Sequence, residues 1–224
     1  MLLRTLKRMW YWYAVWGCRL FCCVFFNMSI RGRENVPRKG PFVLVGNHQS
    51  FFDPLFCGMH LKRHLYFLGR DTLFANRMFG WLIGSMNTIP VRRGEADFSA
   101  IRRVIAVLRK GNGICVFPEA TRSPNGRIAN FKPGFGLLCR RSNATVVPVL
   151  IEGAYEVWPR HEKCFAPGAR VVVSYGQAIT PEQVREMTDQ ELAARLTRRI
   201  RTMQNQCRIE QGKEPFDYTP QGFG

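Results

Sequence analysis

Short apolar runs bounded by turn residues alternate with helix-like stretches along most of this chain. A chain patterned this way folds by burying the runs in a sheet and covering them with helices. Residues 41–46, 64–69, 87–91, 113–117, 145–151 and 170–175 read as strands. Helix patterns lie between them, over 54–61, from an Asp71 cap to about Met86, and behind an Asp97 cap with Ile101, Val104, Ile105 and Leu108 on one face. Lys110-Gly111 closes that helix with a basic last turn and a terminal glycine. Further helices are expected from Phe131 to about Arg141, from Thr180-Pro181, and from a Thr188/Glu191 capping box to about Ile209. The last carries Arg195, Arg198, Arg199 and Arg201 on its solvated part, and 153–168 is expected to be an irregular loop. Pro148 places its strand near an edge or at a bulge. The fold expected is α/β, a mixed, largely parallel central sheet flanked by helices, with ligands at the strand ends.

The 224 residues suffice for one sizeable domain, and no linker-like stretch divides them. With 46% hydrophobic and 22% charged residues the chain is globular rather than disordered. A net charge of +17 points to an anionic partner, whether nucleic acid, an acidic protein, phosphorylated substrates or acidic lipid. The eight cysteines have no C-x-x-C spacing and no histidine cluster beside them, so neither a disulfide framework nor a metal site is expected. A reducing, cytoplasm-facing environment fits them.

The N-terminal segment speaks for lipid. Residues 9–28 are about long enough to span a bilayer, but Arg19 sits at the centre, at a cost of about 2.5–3.5 kcal/mol. Both flanks are basic, which is most easily met with both ends on the cytoplasmic side. Three of the five tryptophans fall in the first sixteen residues, with Tyr11 and Tyr13 among them, a composition suited to the headgroup layer. Residues 1–30 are therefore expected to be a monotopic, membrane-anchoring helical segment, 31–210 the catalytic domain and 211–224 a tail. A cleaved leader does not fit so bulky and aromatic a run.

His48 follows the first buried strand, and Asp53-Pro54 reads as a helix start with Asp53 as N-cap. A turn of this length can fold back so that the carboxylate accepts a proton from one imidazole nitrogen, leaving the other as a base. Other strand ends supply Arg92 and Arg93, then Glu119 and Arg122, then the Pro148 segment. There is no nucleophile elbow, phosphate-binding loop or dinucleotide fingerprint. A His–Asp pair without its own nucleophile suits activation of a substrate hydroxyl, and arginines alongside suit a phosphate on that substrate. With an activated electrophile such as a thioester, neither metal nor cofactor is required.

The stretch N-H-Q-S-F-F-D resembles the H-x-x-x-x-D signature of the glycerolipid acyltransferases, the 1-acylglycerol-3-phosphate O-acyltransferase family. I-P-V-R-R-G, F-P-E-A-T-R-S and V-V-P-V follow in that family's order, and the resemblance covers roughly residues 30–180. It implies His48 as general base and Asp53 as its orienting partner. It also implies that Arg93, Glu119, Thr121 and Arg122 bind the glycerol phosphate, with Lys132 supporting. Val147 and Pro148 would line the acyl-donor side, and Arg92 is a solvated charge or a helper. The family usually has Gly where this chain has Ala120, a methyl tolerable if the backbone there is ordinary. The implied reaction is acyl transfer from acyl-CoA or acyl carrier protein, as co-substrate, to lysophosphatidic acid, giving phosphatidic acid at a membrane. Two alternatives stay open: another lysophospholipid or lyso-aminolipid acceptor, and a non-enzymatic basic membrane-binding module. Nucleic acid is not expected, because the basic residues are scattered and not interleaved with stacking aromatics.

Overall fold

A computed structural model of the chain describes residues 2–92 and 97–219. Its strands form one seven-stranded sheet: β1 (Asn27–Arg31), β2 (Phe42–Gly46), β3 (Leu65–Arg70), β4 (Thr88–Val91), β5 (Gly113–Val116), β6 (Thr145–Glu152) and β7 (Arg170–Tyr175), in the order β1-β7-β6-β2-β5-β3-β4. Strands β6, β2, β5, β3 and β4 are parallel, whereas β7 runs antiparallel to β6 and carries β1 parallel to itself. Strand β2 lies at the middle with all five residues buried, as expected of a parallel strand covered on both faces.

Alternation along the strands splits the interior into two layers. Val43, Val45, Ile114, Val116, Val146 and Leu150 face one side, covered by α4 (Phe98–Arg109), α5 (Phe135–Ser142), α7 (Pro181–Arg185) and α8 (Asp189–Glu210). Phe42, Leu44, Cys115, Val147, Val149 and Ile151 face the other, under α1 (Leu2–Phe25), α2 (Asp53–Gly58) and α6 (Ala154–Val157). Complete burial of one such side chain contributes about 1.5–3 kcal/mol.

Several local expectations are corrected. Asp71 opens only a 3₁₀ turn, and α3 (Arg77–Ser85) is capped instead by Asn76, whose Oδ1 accepts the Phe79 N–H at 3.0 Å. The 153–168 loop contains the short helix α6. Pro148 does not mark an edge, because β6 lies between β7 and β2. Its carbonyl accepts the Gly176 N–H at 2.8 Å, so its missing donor faces the same side, where β7 has ended. Between the Val149–Tyr175 and Val146–Ile179 pairings the facing chain gains one residue, a bulge that accommodates the proline.

The boundary expected at residue 30 falls inside β1, an N-M-S-I-R segment that pairs with Arg170–Ser174. Helix α1 before it packs on the domain through Tyr11, Val15 and Cys22, at helical spacing, with Phe26 just beyond. Arg19 shares that inner face and donates from Nε to the Met59 carbonyl, so its charge faces protein. The outer face of α1 exposes Tyr13, Trp16, Leu20 and Val24. It continues into α3, where Met78 is 85% and Trp81 66% exposed, and where Trp10 and Trp81 meet with ring centroids 5.8 Å apart. Among the described residues no helix is long and apolar enough to cross a membrane.

Candidate active site

Three features of the sequence bring His48 out at the carboxyl end of β2. The strand stops at Gly46, and Asn47 then uses its side chain in place of a backbone pair, Nδ2 donating to the Ile151 carbonyl and Oδ1 accepting the Ile151 N–H, both at 2.8 Å. This keeps the chain beside β6 while its backbone turns. The His48 N–H is accepted by Glu119 Oε1 at 2.7 Å, and the His48 carbonyl accepts the Ser123 N–H at 2.7 Å. The F-P-E-A-T-R-S block therefore holds the histidine's main chain from both sides. Finally, the ring stacks on Phe117, 4.5 Å between centroids at 19°, with the side chain 17% exposed.

Asp53 is fully buried and is not the N-cap of α2, which Phe52 occupies. Its carboxylate turns back into the preceding loop. Oδ2 accepts from His48 Nδ1 at 2.7 Å, Gln49 N at 2.6 Å and Ser50 N at 2.7 Å. Three donors converging on one oxygen compensate the burial of its charge. With Nδ1 turned to the carboxylate, Nε2 is the nitrogen left for a substrate proton.

Glu119 lies against the His48 main chain. It is 6% exposed, and its second oxygen accepts the Ala129 N–H at 2.9 Å. Burial pushes its carboxyl up to about 7, although the Ala129 and His48 backbone donors pull it down. Both oxygens serve backbone N–H groups, one of them that of His48, so the carboxyl braces the histidine's main chain.

The remaining expected residues scatter. Arg122 lies over the exposed Phe51 ring, its guanidinium carbon 3.3 Å from the centroid, on the same segment that holds the His48 carbonyl. Thr121 is exposed, and its hydroxyl accepts from Arg160 Nη1 at 3.2 Å. Lys132 is exposed and joins the block through its N–H to the Pro118 carbonyl at 3.0 Å. Arg92 is exposed and its N–H is held by Asp97, whereas Arg93 lies outside the described residues. Val147 and Pro148 are buried within β6, below the strand end that Asn47 clamps at Ile151. Sequence reasoning missed Asn47, Phe117 and Arg160. The first two lay within the quoted motifs, while Arg160 is joined to the site only by tertiary contact.

The acyltransferase family model matches residues 27–152, more than half of the chain. The chain belongs to the acyltransferase family. Among its relatives, the 1-acyl-sn-glycerol-3-phosphate acyltransferase LPAT1, chloroplastic, of Arabidopsis thaliana is 31% identical over 138 residues, covering 60% of this chain and 38% of that protein. The 1-acyl-sn-glycerol-3-phosphate acyltransferase of Pseudomonas aeruginosa is 28% identical over 174 residues, 76% of this chain and 65% of that one. The alignment spans less than two thirds of the length of either relative. The fold is similar to the crystal structure of the 1-acyl-sn-glycerophosphate (LPA) acyltransferase PlsC from Thermotoga maritima, at a TM-score of 0.69 and 26% identity over 89% of this chain and 86% of that one.

Within this acyltransferase, Ala120 is the local departure that matters. Its φ is +62°, in the left-handed region that a side chain adopts at a cost of roughly 1–2 kcal/mol, so the backbone there is not ordinary. Ala120→Gly is expected to raise stability by about 1 kcal/mol without loss of activity, read as a higher melting temperature.

Proposed function

We propose that this acyltransferase moves a fatty acyl group from acyl-CoA or acyl carrier protein to the free hydroxyl of lysophosphatidic acid, giving phosphatidic acid. The observation that carries the reading is the His48–Asp53 contact at 2.7 Å at the end of β2, with Arg122 next in sequence to Ser123, whose N–H the His48 carbonyl accepts. In the proposed reaction His48 Nε2 takes the hydroxyl proton as the oxygen attacks the thioester carbonyl. The tetrahedral intermediate collapses by breaking the C–S bond, and the imidazolium returns its proton to the departing thiolate. Asp53 holds the ring orientation and steadies the imidazolium charge. An already activated thioester needs no covalent enzyme intermediate. The relatives' names, 1-acyl-sn-glycerol-3-phosphate acyltransferase, support this acceptor.

Arg122 and Arg160 bring two guanidinium groups to the P-E-A-T-R-S segment, and guanidinium pairs with phosphate oxygens in a bidentate fork. Arg122→Ala is expected to raise the acceptor KM about 10–100-fold with a smaller change in kcat. An unchanged acceptor KM would remove its phosphate role. The assay that decides the function supplies lysophosphatidic acid with each donor type in turn. No phosphatidic acid from either donor would refute the assignment.

Both substrates carry lipid tails, and the shared outer face of α1 and α3 supports attachment to one leaflet, with Arg19 and the buried side of α1 turned to the protein. Trp16→Glu with Trp81→Glu is expected to abolish sedimentation with phosphatidylglycerol vesicles while the circular dichroism spectrum stays unchanged. Co-sedimentation of the double variant at the wild-type level would count against this face.

A further inference from the structure

Beyond the end of α8 the chain does not trail away. Residues 213–219 turn back along the helix, and side chains of α8 hold them where a β-ladder would otherwise be needed. Asn205 grips Phe216 twice, Nδ2 donating to its carbonyl and Oδ1 accepting its N–H, both at 2.9 Å. Arg208 lays its guanidinium over the Phe216 ring at 3.9 Å and donates from Nε to the Glu214 carbonyl at 2.7 Å. This strap delivers Tyr218, whose hydroxyl accepts the Ile128 N–H at 2.8 Å and donates to Gln204 Oε1.

The same loop is held from beneath. Buried Gln204 donates to the Gly126 carbonyl at 2.9 Å and to Glu152 Oε2 at 2.6 Å, and Gln49, next to His48, donates to that Gly126 carbonyl at 2.7 Å. Arg201 donates twice to the Ile128 carbonyl, at 3.0 and 2.8 Å. The strap and α8 thus fix the N–H and C=O of Ile128, in a loop without regular structure of its own. The next N–H along is that of Ala129, which Glu119 Oε2 accepts, and the other oxygen of Glu119 holds His48.

We infer that the strap 213–219 is a positioning element for His48, acting from Tyr218 through the 126–129 loop and Glu119. Deleting the Tyr218 hydroxyl leaves the Ile128 N–H and Gln204 Oε1 without this partner, and polar groups so stranded are satisfied only by rearrangement. Once the loop shifts, Glu119 loses its Ala129 donor, and the His48 main chain loses a rigid anchor. Tyr218 touches no substrate in this scheme. It acts through geometry, over a chain of hydrogen bonds that begins at the Tyr218 hydroxyl.

The kinetic arm of the test rests on the acyl-transfer reading, so a second arm is independent of it. In the full-length chain, Tyr218→Phe is expected to speed amide exchange over residues 126–131 by at least about tenfold, measured by mass spectrometry, with other segments little changed. It should also lower kcat about tenfold while the acceptor KM stays within about twofold. The acid limb of the rate profile should move to higher pH, because Glu119 loses a donor that favours its charged form. Asp53, Arg201 and the His48 N–H, the other groups facing Glu119, are untouched by the substitution. Asn205→Ala removes both grips on the Phe216 backbone with Tyr218 still present and should give the same pattern in weaker form, keeping the test available if Tyr218→Phe does not fold. Arg185→Ala breaks only exposed contacts with Glu182 and Asn143, outside the strap and the 126–129 loop, and should change none of the readouts. Unchanged exchange over 126–131 would overturn the inference, and so would faster exchange with kcat and the acid limb unmoved. A uniform loss of protection across the chain would show a merely structural role and overturn it too. Should the wild-type protein transfer no acyl group, the functional reading falls, while exchange and a carbon-13 titration of Glu119 still decide the strap.

Discussion

His48→Ala is expected to lower kcat for the proposed acyl transfer by about 10²–10⁴-fold, the range contributed by a positioned general base, with the melting temperature little changed. The ring is partly exposed and rests on Phe117, so its removal opens no closed cavity. The main chain of His48, which Glu119 and Ser123 grip, is the same in alanine. Asp53→Asn should produce a loss of similar size by another route. An amide oxygen can still accept the Gln49 and Ser50 N–H groups, but it brings no charge to steady an imidazolium. The measurement is steady-state turnover with lysophosphatidic acid, alongside circular dichroism of each variant. Turnover of His48→Ala within a few-fold of wild type would end the general-base assignment.

Glu119→Gln is expected to lower both activity and stability, although the side chain keeps its size. The carboxylate accepts two backbone N–H groups, one at each oxygen. A glutamine amide accepts one and turns its own NH₂ against the other, leaving a buried donor unsatisfied at about 1–3 kcal/mol. The pH dependence gives a sharper signature. Burial raises the carboxyl from its ordinary 4.5 to about 7, so between those values the folded chain binds a proton that the unfolded chain has released. That contribution is complete below the unfolded value and is lost as pH rises through about 7. Wild type should therefore lose stability across that window, and Glu119→Gln should lose less, read as melting temperature against pH. An equal slope in the two proteins would show that Glu119 does not titrate there.

The strand-and-helix alternation was legible because its causes are local. Apolar runs of four to eight residues, Asp97 and Thr188 as caps, and glycine at helix ends each act within a few positions. The His48–Asp53 pair was legible only with the motifs at the other strand ends, since an Asp and a His five positions apart serve equally well as a helix cap and a loop residue. The local signal failed where another element supplied the partner. Asn27–Arg31 is a strand because β7 offers it an edge, and nothing in N-M-S-I-R says so. Arg19 looked costly inside an apolar helix because its acceptor, the Met59 carbonyl, is forty positions away.

By itself the sequence determined the fold class, most of the strands and helices and the His48–Asp53 contact, because periodicity and short-range chemistry are written into neighbouring residues. Only the tertiary structure decided that Glu119 braces a histidine's main chain, that Pro148 sits inside the sheet, and that residues 213–219 fold back onto the loop behind the site. Those outcomes depend on hydrogen-bond partners some 70 to 90 positions apart in the Glu119 and Tyr218 contacts. A buried polar group takes whichever partner the fold brings to it, and residue type alone does not name that partner.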